Sequence, residues 1–294
     1  MIKAAVIGYG NVGRAVVEIL RMSPDFALCG IVGKTSAGRQ VEGLTIVDSV
    51  DKLPATDVAI LTLPSRGVPE MAKKLLGKGI HTVDGFDIHE QVPALWRELS
   101  ALGIKHNVAA ITAAGWDPGT DSIIRTLFQA MAPVGLTYTN FGPGMSMGHT
   151  VAVRAVAGVK DALSVTIPLG TGLHRRMVYV ELEGGYTYAQ VAEAIKADAY
   201  FIHDETHVIQ VSDVSAVKDM GHGVHMERKG SSGSTCNQLM SFDMKIDNPT
   251  LTAQVLVCSA RAVLKQKPGG YTMIEIPPVD FLAMDRAQAV AELV

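Results

Sequence analysis

Cysteine is scarce: Cys29, Cys236 and Cys258 are the only three in 294 residues. An odd count at such wide spacing excludes a disulfide framework and a zinc knuckle. It fits a reducing compartment, so a cytoplasmic location is expected. Excess charge of one sign is missing as well. The 26 basic and 29 acidic residues leave a net charge of −3, and without a basic surplus no nucleic-acid partner is expected. No run of about eighteen uninterrupted apolar residues occurs, so no membrane span is expected. The chain opens on a core-like strand, which argues against a signal peptide. Neither an HExxH pattern nor a Cys/His cluster is present, and zinc hydrolysis therefore has no support. Against these absences stand 48% hydrophobic residues, enough for a globular protein of two lobes.

The most informative segment is the first. Ile2-Lys3-Ala4-Ala5-Val6-Ile7 is strand-like, Gly8-Tyr9-Gly10-Asn11-Val12-Gly13 follows at once, and a helical pattern comes next. A dinucleotide site needs this order of strand, glycine turn and helix. Gly8 permits the turn, Gly10 admits a pyrophosphate to the backbone, and Gly13 lets the helix lie against the strand. The helix N-terminus then offers free N–H groups to the anion. The next strand, Leu28 to Val32, ends at Gly33-Lys34-Thr35, where NAD-preferring folds carry an acid that receives the ribose 2′-hydroxyl. Here the corner holds Lys34 with Thr35 and Ser36, which favours the 2′-phosphate of NADP.

Strand and helix patterns alternate through about residue 117. Val58–Leu63 is a continuous apolar run, as in a parallel strand covered on both faces. Helical spacing follows over Val68–Leu76, a strand over Ile80–Val83, a helix over Glu90–Leu102 and a strand over Val108–Ile111. These features specify a doubly wound (Rossmann) α/β domain, with ligands at the carboxyl ends of its strands. After Trp116-Asp117-Pro118-Gly119 the texture changes. A helix over Thr120–Met131 leads into β-rich segments at Leu136–Phe141, Ala162–Ile167, Arg176–Glu183, His207–Val211 and Gln238–Ile246, with one further helix over Tyr188–Ala197. An α+β domain is expected, built on an antiparallel sheet with helices on one side. Asn248-Pro249 then opens a long helix.

Three acids fall at predicted strand ends: Asp84, Asp87 and Asp117. Neighbouring carboxylates there would favour an ammonium or iminium beside a nicotinamide. Asp-Pro-Gly is equally turn chemistry, and Asp84 reads equally as a cap or loop acid. In the second half, Phe141 to His149 is a glycine-punctuated loop whose N–H groups either cup a carboxylate or form a plain turn. Arg175 and Arg176 open a strand, as anion contacts or surface charge. His222, between glycines, reads as an exposed and adaptable group or a solvated turn.

These segments together resemble the meso-diaminopimelate dehydrogenase family over nearly the whole chain. The specific ones are Gly115-Trp116-Asp117-Pro118-Gly119 and the Gly-Pro-Gly-x-Ser-x-Gly-His run of Gly142 to His149; the glycine fingerprint and Thr82-Val83-Asp84-Gly85-Phe86-Asp87 occur in the matching order. The resemblance implies a homodimeric NADP enzyme that converts the D-centre of meso-2,6-diaminopimelate to 2-amino-6-oxopimelate and ammonia. It implies a dinucleotide-binding domain over 1–117 and about 248–294, and a substrate-binding and dimerisation domain over 118–247.

Carried over by position, Asp87 and Asp117 hold the reacting amino group. Trp116 and Phe141 wall the site, and Met147 with Gly148 lines it. Thr166, Arg176, His222 and Asn248 bind the distal amino-acid end. For the cofactor, Gly10, Asn11 and Val12 match the pyrophosphate loop and Lys34 the 2′-phosphate contact. Tyr9, Thr62, Leu63, Pro64, Ser65, Gly85, Phe86, Ala114 and Gly115 match the remaining contacts. Two departures stand out. Many members carry two arginines at the 2′-phosphate corner, and many place Trp and Gln where Phe141 and Met147 stand. A smaller, more apolar wall suits other 2-oxo acids, so a broader D-amino acid dehydrogenase or related imine reductase is the alternative. A non-catalytic NADP-binding regulator of the same fold is the reading from another class.

Overall fold

The computed structural model describes residues 1–217 and 222–294. The chain divides into two compact units, Met1–Thr126 with Pro249–Val294, and Leu127–Asn248.

In the first unit β1 (Ile2–Ile7) leads to α1 (Asn11–Met22) and β2 (Phe26–Val32). A small hairpin, β3 (Gln40–Val41) with β4 (Leu44–Thr45), precedes β5 (Val58–Leu61) and α2 (Val68–Leu76). Next come β6 (His81–Asp84), α3 (Val92–His106), β7 (Ala109–Ile111) and α4 (Thr120–Met131). The C-terminal segment adds α7 (Asn248–Val263), β15 (Gly269–Tyr271) and α8 (Arg286–Leu293). The large sheet is parallel throughout, in the order β15-β7-β6-β5-β1-β2.

Side chains of β1 alternate between two cores, as the two-residue period of a strand requires. Ala4 and Val6 pack with Val16, Val17 and Leu20 of α1 and with Leu256 and Ala260 of α7. Ala5 and Ile7 face the opposite layer, with Ala72 and Leu75 of α2 and Leu95 and Leu99 of α3. From β1 the chain goes first to β2 on one side and then to β5 on the other. The carboxyl ends of β1 and β5 therefore form the switch point where a doubly wound sheet opens a crevice. Arg261 fastens α7 to this unit, with Nε 2.5 Å and Nη2 3.0 Å from the two carboxylate oxygens of Asp25. That fork holds the Asp25 pKa below the usual carboxylate range, through its hydrogen bond first and its charge second.

The second unit comprises β8 (Val134–Phe141), β9 (Gly144–Met145), α5 (Met147–Arg154), β10 (Val159–Gly170), β11 (Leu173–Leu182), α6 (Tyr188–Ala197), β12 (Glu205–Gln210), β13 (His222–Ser232) and β14 (Thr235–Ile246). The expected antiparallel sheet is in fact two sheets, β12-β11-β10-β9 and β14-β13-β8, and β11 pairs with β12 in parallel. Helix α5 and strand β13 were not anticipated by pattern. Arg228 of β13 is buried and donates Nε to the Ala132 carbonyl at 2.8 Å and Nη1 to Thr137 Oγ1 at 2.8 Å. It thus supplies a cation to a carbonyl just past the C-terminus of α4, where the helix dipole is negative.

The three cysteines are unpaired, Cys29 and Cys258 half-buried and Cys236 exposed. Cys29 sits in β2, where Sγ reaches the Ala4 carbonyl at 3.3 Å. Asp84 does not face a crevice. It is wholly buried at the end of β6, where its Oδ1 accepts from Thr112 Oγ1 (2.8 Å), Phe86 N (3.1 Å) and Ala113 N (3.3 Å). It ties the ends of β6 and β7 together, and Phe86 is thereby placed in the core.

Burial pushes the Asp84 pKa up from 3.8 to about 6, and the three hydrogen bonds only partly oppose it. A folded-state pKa above the unfolded one means that the native protein binds the extra proton between those values. Stability from this group is therefore present below pH 4 and falls as pH rises toward 6, by about 3 kcal/mol. Asp84→Asn keeps the acceptor and cannot ionise. We expect its melting temperature, relative to wild type, to be higher at pH 8 than at pH 4. Parallel melting curves for the two proteins across that range would contradict the assignment.

Candidate functional site

In the first unit the glycine turn takes three distinct forms. Gly8 has φ +108°, and a Cβ there would sit 2.7 Å from the Thr62 carbonyl oxygen. A Cβ on Gly13 would overlap the Gly8 carbonyl, so α1 can approach β1 only as glycine allows. Gly10 is different: it is exposed, and nothing lies within 4 Å of where its Cβ would be. Gly10 is also the N-cap of α1, with no side-chain cap and no acid in the first turn. The result is a helix N-terminus with unshielded N–H groups and open space above the second glycine. Backbone and space there fit a pyrophosphate.

The neighbouring strand ends add the other residues. Tyr9 and Val12 are partly buried against the α1 core, while Asn11 is exposed. Thr62 follows β5, donating Oγ1 to the Gly8 carbonyl at 2.9 Å; Leu63 and Pro64 lead on to Ser65. Ser65 Oγ donates to Asp87 Oδ1 at 2.5 Å and accepts from Asp87 N at 3.2 Å. This reciprocal pair joins the loops after β5 and β6 and fixes the Asp87 carboxylate. Gly85 is half-buried, and the Phe86 side chain is in the core, which leaves only its backbone for a ligand. Lys34 is exposed just past β2, beside exposed Thr35 and buried Ser36.

Ala114 and Trp116 are buried after β7, and residues 115–119 fold back on themselves. Gly115 N donates to the Pro118 carbonyl at 2.9 Å, and Thr120 N to the Gly115 carbonyl at 3.1 Å. Asp117, followed by a cis peptide bond to Pro118, stands on this tight loop next to the N-terminus of α4. Its Oδ2 is 3.9 Å from His89 Nε2, and its Oδ1 is 3.8 Å from Arg125 Nη2. Sequence patterns gave no notice of Asp121, the second residue of α4. It is fully buried and lies 3.0 Å from Arg125 Nη2. An acid in a helix's first turn looks like ordinary dipole complementation, so only the three-dimensional neighbourhood distinguishes it.

The second unit gathers a separate set. Gly142, φ +95°, threads between β13 and β10: its N–H donates to the Gly223 carbonyl at 2.7 Å, and a Cβ would overlap the Thr166 carbonyl. Phe141, paired with Val224, is thereby set close to Thr166, which is buried opposite Gly144 on one side and Arg176 on the other. Arg176 donates Nη1 to Thr166 Oγ1 and Nε to Asp204 Oδ2, the latter at 2.6 Å. Asp204 was not anticipated, because its pairing is purely tertiary. Arg175 turns away to the exposed Glu205 at 2.9 Å. His174 Nε2 accepts from Phe141 N at 2.8 Å, and burial followed by the Arg176 charge lowers its pKa.

His222 is buried in β13, not exposed as its glycine neighbours suggested, while Met220 and Gly221 lie outside the described residues. Asn248 begins α7 and is half-buried. Met147 and Gly148 form the first turn of α5, an eight-residue helix where a loop was expected. Gly144 to Gly148 also spells the Gly-x-Ser-x-Gly of a hydrolase elbow. Ser146 Oγ does meet His149 Nδ1 at 2.8 Å. Yet burial and the Arg176 charge push the His149 pKa down to about 3, far too weakly basic to activate a serine at neutral pH. Among the described residues no His/Cys/Asp/Glu group could hold a metal ion.

Two family models match the chain: the CoA binding domain over residues 1–86, and the diaminopimelic acid dehydrogenase C-terminal domain over 115–175. A meso-diaminopimelate D-dehydrogenase of Bacteroides fragilis is 56% identical, covering 100% of this chain and 99% of its own. Among solved structures, the C. glutamicum DAP dehydrogenase in complex with DAP matches with TM-score 0.84 at 25% identity, covering 100% of this chain and 99% of the other. An engineered D-amino acid dehydrogenase bound to NADP+ matches with TM-score 0.88 at 26% identity over the same shares. The chain belongs to the meso-diaminopimelate D-dehydrogenase family.

Proposed function

We propose that this protein catalyses the reversible, NADP-dependent oxidative deamination of the D-centre of meso-2,6-diaminopimelate, giving L-2-amino-6-oxopimelate and ammonia. The observation that carries this is local to the first unit. Two carboxylates, Asp87 and Asp117, follow the carboxyl ends of β6 and β7, in the parallel sheet whose β1 ends in a glycine turn shaped for a dinucleotide. The match to NADP-bound and DAP-bound relatives, with 56% identity to a D-dehydrogenase, supports the same substrate and cofactor.

Bound at the turn, NADP supplies the hydride acceptor. Gly10, Asn11 and Val12 hold the pyrophosphate by their N–H groups. Lys34 answers the 2′-phosphate, and Tyr9, Thr62 to Ser65, Gly85, Phe86, Ala114 and Gly115 line the remaining contacts. Asp87 and Asp117 accept the N–H bonds of the reacting amine and stabilise the positive charge on its carbon–nitrogen unit as the α-hydrogen leaves. The amine must be neutral to react, and two adjacent carboxylates raise its pKa, so oxidation is favoured at alkaline pH. Trp116, Phe141, Met147 and Gly148 form apolar and backbone contacts with the substrate chain. Thr166, Arg176, His222 and Asn248 hold the distal amino-acid end and so fix which stereocentre reacts.

We also assign the protein to the cytoplasm, consistent with three unpaired cysteines, and to a homodimer. Among the described residues no helix is long and apolar enough to cross a membrane. The dimer reading is supported by β14, a twelve-residue edge strand, in a sheet where Leu239 of β14 and Leu136 of β8, in register across Lys229 of β13, are both exposed. A long uncovered edge of this kind ordinarily pairs or is covered.

Initial rates of NADP+ reduction test the assignment. We expect turnover with meso-diaminopimelate, none with the LL isomer, and a much slower reaction with NAD+. No turnover with either cofactor would overturn the activity, and preference for NAD+ would overturn the role of Lys34. The glycine turn yields a separate test. Gly10→Ala has room for its methyl group and should fold with unchanged melting temperature yet lose at least tenfold in NADP affinity. Gly13→Ala, which collides with the Gly8 carbonyl, should lower the melting temperature itself. Equal effects of the two substitutions on folding would contradict the division of roles.

A further inference from the structure

The pair Asp117 and Asp121 contains two carboxyl oxygens whose chemistry the reaction described above leaves unused. Asp117 Oδ1 and Asp121 Oδ1 are both buried, and neither has a hydrogen-bond donor. Both side chains close on the same guanidinium, that of Arg125, which makes the two carboxyl groups immediate neighbours. Arg125 Nη2 is 3.0 Å from Asp121 Oδ2 but 3.8 Å from Asp117 Oδ1, so its direct hydrogen bond goes to the other Asp121 oxygen. His89 Nε2 lies 3.9 Å from Asp117 Oδ2. Two ionised carboxylates that are close neighbours, with donorless oxygens in a buried place, repel each other strongly, and such pairs retain a proton between them.

We propose that Asp121 is a positioning residue for the deamination: as a neutral acid it donates its O–H to Asp117 Oδ1, holding Asp117 singly charged with Oδ2 as the acceptor for substrate. The role in turnover rests on the reading of Asp117 as a ligand of the reacting amine; the shared proton does not. Burial, then the Asp117 charge and its hydrogen bond, push the Asp121 pKa well above the carboxylate range, and Arg125 only partly offsets them. The loop at 115–119 supplies the geometry. Asp121 N donates to the Trp116 carbonyl at 3.0 Å, which anchors the helix start directly under the aspartate that it steadies.

Two consequences follow for the reaction. The bridge orients Asp117 before substrate arrives, so that no binding energy is spent fixing its rotamer. It also caps the charge of the pair at one. A second negative charge would raise the pKa of the bound amine further and delay formation of its reactive neutral form. Oxidation should therefore rise with pH as the amine deprotonates and then flatten as Asp121 ionises.

The test combines infrared spectroscopy with kinetics on the full-length protein. At neutral pH the wild type should show the carbonyl stretch of a buried neutral carboxylic acid, titrating at alkaline pH. The band should vanish in Asp121→Asn and persist in Asp87→Asn. In turnover, Asp121→Ala should lose at least tenfold in kcat, with NADP affinity unchanged. Asp121→Asn, whose amide can still donate to Asp117, should recover most of that loss and lack the alkaline flattening. If the band is absent from the wild type, or if Asn is no better than Ala, the proposal fails. A wild type that shows the band but turns over no diaminopimelate leaves the shared proton supported and overturns the functional reading instead.

Discussion

The arrangement at the carboxyl end of β1 depends on backbone meeting backbone. Gly13 of α1 rests on the Gly8 carbonyl, and Thr62 closes the contact from β5 with a 2.9 Å hydrogen bond to that same carbonyl. No side chain fits between these segments. Because α1 is held so close, its N-terminal N–H groups emerge at the carboxyl ends of β1 and its neighbour β5. The two carboxylates that follow β6 and β7, Asp87 fixed by Ser65 and Asp117 fixed by its tight loop, are useful only in relation to that position.

The handling of charge follows from burial. Three carboxyl groups at or beyond strand ends of the first unit have three different settings. Asp84 is sealed into the sheet and holds the ends of β6 and β7 together, at a cost in stability once it ionises. Asp87 is half-buried with a hydroxyl partner, and Asp117 keeps one oxygen toward an exposed histidine. Within the second unit the sign is reversed at Arg176, and Asp204 with Thr166 determines where its guanidinium points. A carboxylate ligand would there meet a cation already aimed and partly desolvated, which suits recognition by an arginine fork.

Much of the first unit was legible because its signals are local. Helix α2 over Val68–Leu76 and helix α4 over Thr120–Met131 have the bounds that apolar spacing suggests. Strand β15 was not legible: Gly269-Gly270-Tyr271 looks like a loop, and its glycines are needed because α3 crosses so near that a Cβ on Gly270 would lie 2.6 Å from Ser100 N. Strand β13 did carry a sign in the alternation of Val224, Met226 and Arg228, all buried, but an arginine in an inward position obscured it. Helix α5 was hidden by the glycine-rich texture of the run that opens it. Some positions matched to the family motif are in contact, as Ser65 with Asp87 and Arg176 with Thr166, whereas Asp121 and Asp204 meet Arg125 and Arg176 through space. Side chains of that kind have no signature in spacing or composition.

The central claim is that the D-centre is the carbon that gives up hydride. It is tested most directly with meso-diaminopimelate deuterated at the α-carbon of the D-centre only. The account predicts that the reduced NADP formed carries deuterium and that the reaction shows a primary isotope effect when hydride transfer limits the rate. Label placed on the L-centre should stay in the oxopimelate product. Unlabelled reduced NADP from the D-labelled substrate, or deuterium delivered from the L-centre, would contradict it.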